Sequence, residues 1–526
     1  MKNIEHYVGD TLEEGFIVRY SKSVRLIAAS VLLVIPLAAQ LATSPVQAAK
    51  VSDPQFKGTI VIAIDQSGVA PEAGFKALAA AYKKVEPGVT LKWESVATAG
   101  NYVTWLGTQL AVSNPTPDIV SGNAQPGYAH YVNMAQYRYT TNPYTGQPWN
   151  NAYNWSFSPF FNSLGQEIML RTQAVHIEWF YNKAIFRKLH LSPPKTWSQF
   201  VADSKVIKAA GVIPVAAYWP LVAQWMYEVY NYQYNFSRAL IVRARPGDWD
   251  YSPQIAKGFV YSPHNVNMTH EMTLNPLRWY KAIEDGQIKF NSPKTVDLVT
   301  NLKKIFPTYA EPAFFTSDIN SPETLFLQQK AAMFMWGTFG LSTLAQDIAS
   351  LKHPFGWGSF QDPSMTGPLI EAPAQSVESS SGEYLSAINK NQYQTNMDVN
   401  FLQFWLHKTG YQAWVNGEVK SGQFSPAGPL LVHGVKLPPA YAKLIKAVKF
   451  QGNAENGFTS DDNIGGDPSL QTLGYLNLEK ALTGAITPKA YAVNLQNLWT
   501  THFNQILKYA GLTRQDLVDP ARAPTS

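Results

Sequence analysis

Between Thr59 and Val120 the hydrophobic period switches repeatedly between that of a strand and that of a helix. This alternation restricts the fold more than any other feature of the chain. Thr59 to Ile64 is a nearly continuous apolar run, as in a strand buried on both faces. Phe75, Leu78, Tyr82 and Val85 then recur at helical spacing, and Pro87–Gly88 stops them. Val89, Leu91 and Trp93 alternate with polar residues, which reads as a second strand. Val103, Leu106 and Leu110 mark a second helix, and Pro117–Asp118–Ile119–Val120 opens a third strand, with Asp118 fixing the turn. Consecutive strands joined by helices must run parallel, with helices on the sheet faces. Ligands of such sheets bind beyond the carboxyl ends of the strands. That places candidate polar contacts at Asp65 and Gln66 after the first strand, and at Asn123 and Gln125 after the third. Each of these could instead cap the helix that follows it.

A second strand–helix–strand unit spans Gln173 to Gly211. Ala174 to Tyr181 is apolar and aromatic, and Pro193–Pro194 interrupt any regular element. Thr196 and Gln199 are spaced as a capping box for a helix that ends at Gly211, before a strand over Val212 to Ala216. His176 and Glu178 lie on the incoming strand. The two units make an α/β protein, and 526 residues exceed one ordinary core, so more than one domain is expected.

YNKAIFRKLHLSPPKTWSQF, from Tyr181 to Phe200, resembles the crossing segment of bacterial extracellular solute-binding proteins, the receptors of ABC importers. The group that includes maltose-binding protein is the most similar. Tyr181–Asn182 ends the strand that passes between lobes, and Pro194-Lys195-Thr196-Trp197 opens the next helix. Ala331-Ala332-Met333-Phe334-Met335-Trp336 resembles that family's strand with a ligand-facing aromatic at its end. The resemblance implies a two-lobed fold with a hinge near 173–182 and 382–390 and a ligand cleft between the lobes. The first lobe would take 49–175 and 382–418, the second 176–381 and 419–526. It implies a carbohydrate ligand, delivery to a membrane permease, a monomer, and no cofactor.

A sugar packs its C–H face on an aromatic ring and needs fixed polar partners for its hydroxyls. Under the resemblance, Trp336 becomes the foremost ligand candidate, followed by Trp219 just beyond the strand ending near Ala217. Glu178 is a further candidate near the crossing. Tyr128 to Trp155, rich in Tyr, Asn and Trp, reads as a surface excursion over the first lobe. Asp461 to Asp467 is spaced like a calcium loop, but Thr472 stands where its closing glutamate would be, so it reads as a polar loop.

The amino terminus has the three parts of a secretory signal. Arg19, Lys22 and Arg25 precede the uncharged run Leu26 to Ala42, and Val46-Gln47-Ala48 offers a cleavage site before Ala49. Residues 1–48 are therefore expected to be removed, the alternative being an uncleaved anchor, and the mature chain to be periplasmic. The absence of cysteine excludes disulfides, thiolate metal sites and a lipidated N-terminal cysteine. The net charge of +5 comes with no Lys/Arg run, so a nucleic-acid partner is not expected. No G-x-S-x-G, H-E-x-x-H or P-loop occurs. The competing readings are a receptor for a polyol, phosphodiester or peptide, and an exported glycoside-acting enzyme using carboxylates such as Glu167, Glu178 or Glu371.

Overall fold

The structure is a computed structural model that describes residues 55–65, 72–96, 102–121, 130–155, 166–265, 271–375, 384–446, 448, 460–462 and 464–524. Nine strands form its two main sheets: β1 Gly58–Asp65, β2 Val89–Val96, β3 Ile119–Ser121, β4 Leu170–Arg171, β5 Ile177–Asn182, β6 Ile213–Ala216, β7 Ala331–Gly337, β8 Trp357–Phe360 and β9 Tyr384–Ala387. The first sheet has the order β2-β1-β3-β9-β4, the second β8-β5-β7-β6.

In the first sheet β1 pairs in parallel with β2 from Gly58↔Val89 to Asp65↔Val96, and with β3 at Ile62↔Ile119. The apolar run in β1 serves both faces. Ile60, Ile62 and Ile64 join the core under helix α1, Glu72–Val85, while Ala63 packs with Val120, Leu106 and Leu110 of helix α2, Tyr102–Leu110. Asp118 is structural: its Oδ2 accepts the Val61 N–H at 2.8 Å, and Lys390 lies 3.5 Å from Oδ1.

The second sheet is covered by helix α3, Trp197–Ala209, among others. Asn182 caps the short helix Lys183–Lys188 by accepting from the N–H groups of Ala184 and Ile185, at 2.8 and 3.2 Å. Thr196 accepts from Gln199 N–H at 3.3 Å, and the Gln199 side chain accepts from Lys195 N–H at 3.0 Å, one residue earlier than an ideal capping box.

Helix α4, Lys408–Ser421, lies closely along α1. Glu418 reaches across to accept the Gly74 N–H at 2.5 Å, satisfying a donor at the start of α1. A Cβ on Gly417 would lie 2.5 Å from the Ala73 carbonyl oxygen. Gly417→Val should therefore force the two helices apart and lower stability by about 1–3 kcal/mol. Chemical denaturation would measure this, and an unchanged midpoint would show that the contact can relax.

Two aromatic regions differ from the sequence expectation. Trp149, Tyr153 and Trp155 are fully buried in the first core, so the Tyr128–Trp155 region, where described, closes that core and is no surface excursion. Edge-on contacts of Trp155 with Trp149 and Tyr153, at 5.1 and 5.2 Å, hold the corner together. The sequence expectation assigned 419 onward to the second lobe, whereas Phe424, Leu431 and Val432 are buried in the first core. In the helix Pro439–Lys446, Tyr441 packs on the first core and Leu444 on the second.

The strand directions determine where the cores meet. β5 runs antiparallel to β7, and β6 parallel to β7. The start of β5 therefore lies at the edge where β6 and β7 end. In the first sheet β9 runs antiparallel to β3, so its start lies where β3 ends. β5, entered near 172–176, and β9 thus both begin at the carboxyl ends of the parallel strands of their sheets.

Candidate functional site

On the second sheet this edge is formed by the ends of β6 and β7. β6 runs out at Ala216, and the Ala217 N–H donates to Glu311 Oε2 at 3.0 Å. Tyr218 and Trp219 follow, and the chain enters a single π-helical turn, Val222–Met226. Such turns are uncommon and often accompany functional sites. Here the turn carries half-buried Trp225. β7 ends in Trp336–Gly337, and Thr338 then joins the crossing strand. The Thr338 N–H donates to the His176 carbonyl at 2.8 Å, and its hydroxyl accepts the His176 N–H at 3.1 Å.

These ends set up a wall of rings. Trp336 and Phe339 lie 5.5 Å apart edge-on, and Phe339 and Trp225 6.3 Å apart. Trp219 packs edge-on to Phe314 and Phe315, at 5.6 and 5.0 Å. Two glycines admit the rings. A Cβ on Gly340 would lie 2.3 Å from Trp336 Nε1, and one on Gly337 would lie 2.0 Å from the Phe339 ring. Trp336 and Trp219 are each only 8 % exposed, whereas Phe339, Trp225, Phe315 and Tyr218 are half-buried. Sequence reasoning missed Phe339 and Trp225. The signal for Phe339 was available: an aromatic between glycines, Gly337-Thr338-Phe339-Gly340, just beyond a strand.

Glu178 lies wholly inside the second sheet, directly opposite Trp336 in the register. Neither carboxyl oxygen has a hydrogen-bond partner among the described residues. Burial pushes its acidity well above the usual carboxylate range, Asp362 adds to the shift, and the Ser359 hydroxyl opposes it without closing a well-formed hydrogen bond. Burial thus favours the protonated form of Glu178. Burial also pushes His176 down to about 3, so it is uncharged.

The first-lobe candidates lie mostly outside the described residues. Gln66, Asn123 and Gln125 fall there, as does the side chain of Asp65, whose backbone ends β1 opposite Val96. The calcium-like spacing at Asp461 is engaged in the core: Asp461 pairs with Arg238 and accepts from the Thr295 hydroxyl at 3.1 Å.

A cavity of about 500 Å³ lies between the cores. One wall comes from residues 133–140, Trp155 and 166–167 beside the first core, the other from residues 249–255 and 272–274 beside the second. Tyr139 bridges the walls by donating its hydroxyl to the Gln254 carbonyl at 3.3 Å. The cavity holds Glu167 on the first side and Asp250 on the second, each pushed up to about 7 by burial. Arg138 and Arg171 partly offset the effect on Glu167. Of the sequence candidates whose side chains are described, Trp336, Trp219 and Glu178, none lines this space.

The family description "bacterial extracellular solute-binding protein" matches residues 67–364, more than half of the 526. Three solved structures share the fold. The cyclic alpha-maltosyl-1,6-maltose binding protein of Arthrobacter globiformis superposes with a TM-score of 0.53 at 13% identity, covering 84% of this chain and 98% of its own. A family 1 extracellular solute-binding protein of Bifidobacterium longum subsp. infantis gives 0.53 at 16% identity, covering 85% and 100%. The GacH receptor of Streptomyces glaucescens, solved unliganded and with acarbose, gives 0.51 at 14% identity, covering 86% and 99%. No curated protein matches the chain in sequence. With two sheets, two cores, and β5 and β9 beginning at the carboxyl ends of the parallel strands, the chain belongs to the bacterial extracellular solute-binding proteins and has their two-lobed fold.

Proposed function

We propose that the mature chain is the extracytoplasmic receptor of an ABC importer, that it captures a carbohydrate by hinge closure, and that it hands the ligand to a membrane permease. The observation that carries this reading is the wall of rings at the ends of β6 and β7, set where the chain passes between lobes. Rings at the mouth of a cleft suit a ligand with apolar C–H faces. The ligands named for the similar structures, a cyclic maltosyl-maltose and acarbose, point the same way. In this reading Trp336, Trp219 and Phe339 form the stacking side, and Asp65, Gln66, Asn123 and Gln125 supply hydroxyl partners from the first lobe. Glu178 lies behind Trp336. The first lobe takes 49–175 and the return from 382 to about 441, and the second takes the rest. Residues 1–48 direct export to the periplasm and are removed. Among the described residues no helix is long and apolar enough to cross a membrane. The protein acts as a monomer without enzymatic turnover.

A thermal-shift screen of the purified protein against sugars, polyols and peptides tests this directly. A ligand at a hundred times its Kd adds about 2.7 kcal/mol to the folded state, and X-ray scattering should then show a smaller radius of gyration. A shift with polyols or peptides alone would reassign the ligand. An unchanged radius at saturation would remove the closure mechanism.

A further inference from the structure

The cavity between residues 133–167 and 249–274 contains polar groups that the fold leaves unused. Both carboxyl oxygens of Asp250, one of Glu167, and the indole N–H groups of Trp155 and Trp249 are buried without a hydrogen-bond partner among the described residues. Glu167 is 3 % exposed and Trp155 2 %. Buried polar groups are normally paired, because each unpaired one costs about 1–3 kcal/mol. Here three acceptor oxygens on two carboxyls, and two donors, line one space, whose volume falls in the range of small-molecule sites, roughly 300–1,000 Å³.

The walls are firmly built. Asp248, next to Trp249, takes a two-pronged bond from Arg278, with Nε at 2.9 Å and Nη2 at 2.5 Å, and also accepts from Arg245 N–H and Asn275. The carboxyl-terminal tail clamps the same loop. The Trp249 backbone N–H donates to the Ala521 carbonyl at 2.9 Å, and the Asn275 side-chain amide to that of Pro520 at 2.8 Å. Opposite, Asn133 Oδ1 accepts the Glu167 N–H at 3.2 Å, and the Glu167 carbonyl accepts from Met134 N–H at 2.6 Å. A loop braced in this way holds Asp250 and Trp249 in fixed positions, as a binding site requires.

We propose that this cavity is a binding site for a neutral polyhydroxylated ring, separate from the wall of rings at the strand ends. The chemistry selects the class. The carboxyls need donors and the indoles need acceptors, and a sugar hydroxyl is both at once. An ammonium would satisfy only the carboxyls, and an anion only the indoles. The Trp155 and Trp249 rings and Tyr139 supply apolar surface for the C–H faces. Because the walls belong to different lobes, an occupant bridges them. The ligand class rests on the carbohydrate reading above, while the place of binding does not.

The test is titration calorimetry of the full exported protein with glucose, maltose, raffinose, chitobiose and glucosamine, repeated on Asp250→Asn, Trp249→Phe and Phe339→Ala. Asp250→Asn keeps the shape of the side chain and removes its charge, so it should fold normally while weakening the best neutral sugar at least tenfold. Trp249→Phe keeps a ring, removes the N–H, and should cost severalfold. Unchanged apo melting temperatures with these losses support the site. A sugar whose affinity falls with Phe339→Ala alone overturns the site and leaves the carbohydrate reading standing. Binding of glucosamine without the neutral sugars overturns the ligand class. If no member of the panel binds the unaltered protein, the site and the carbohydrate reading both fall.

Discussion

Replacing Trp336 by alanine should lower the stability of the ligand-free protein by about 3–5 kcal/mol, the usual cost of removing a large buried aromatic. The ring is 8 % exposed, stands on the Gly340 backbone and meets Phe339 edge-on. Across the sheet it sits opposite Glu178 of β5, whose carboxyl is shielded from water. Removing the indole opens a cavity beside that acid, and water entering it would favour ionisation and loosen the sheet further. Phe339→Ala should behave differently. Its ring is half-buried, so less packing is lost, while a stacking surface at the cleft edge disappears. Truncating a central aromatic anchor commonly costs about 2 kcal/mol or more of binding, roughly thirtyfold in affinity. Denaturation of both ligand-free variants, with calorimetry against the ligand found by screening, separates the roles. A Trp336→Ala protein with normal apo stability and lost affinity would make Trp336 a ligand contact first and a core residue second.

Much of the architecture was legible because it is local. The β-α-β-α-β opening follows from runs such as Thr59–Ile64 and the helical spacing of Phe75, Leu78 and Tyr82. The cap at Thr196 needs only a few consecutive residues. The aromatic corner was misread because its burial is decided elsewhere. Trp149 and Trp155 have no clean period, and what covers them includes Leu431 and Val432, more than half the chain away. The packing of Phe424 in the first core escaped notice for the same reason. Trp336 was found by its strand, but not its enclosure, which depends on two glycines after the strand. The cavity at Glu167 and Asp250 left no sequence signal at all. Its walls come from segments with no common motif, and an unpaired carboxyl is recognisable only once its neighbours are known.

The unpaired and half-paired acids give the protein an unusual response to pH. Burial pushes Glu167, Asp250, Glu311, Asp362 and Asp462 each up to about 7. Their partners only partly oppose this: Trp179 Nε1 donates to Asp362 at 2.9 Å, and Ala217 N–H to Glu311 at 3.0 Å. In the unfolded chain these groups titrate near 3.8 or 4.5. An acid whose pKa is raised by folding adds stability at low pH and loses it as pH climbs through the folded value. For an aspartate moved from 3.8 to about 7, the full loss is roughly 4 kcal/mol. Relaxation and water entry reduce each contribution, so about a quarter of the combined effect is the reasonable expectation. A chain of this size loses about one degree of melting temperature per kcal/mol. Only the part of the loss between pH 5.5 and about 7 is crossed, about 2 kcal/mol for each acid, so the ligand-free protein should melt about 2–3 °C lower at pH 8.5 than at pH 5.5. His176 limits the acid side, because burial pushes it down to about 3 and its stabilising effect is lost as pH falls below its unfolded value of 6.5. One histidine against five acids leaves the net slope downward above pH 4.5, so the maximum should lie below that. Asp362→Asn retains the acceptor for Trp179 and cannot ionise, so it should raise the melting temperature more at pH 8.5 than at pH 5. Scanning calorimetry across this range decides the matter: a melting temperature that stays level or rises from pH 5.5 to 8.5 would mean that these carboxyls reach water or partners in solution.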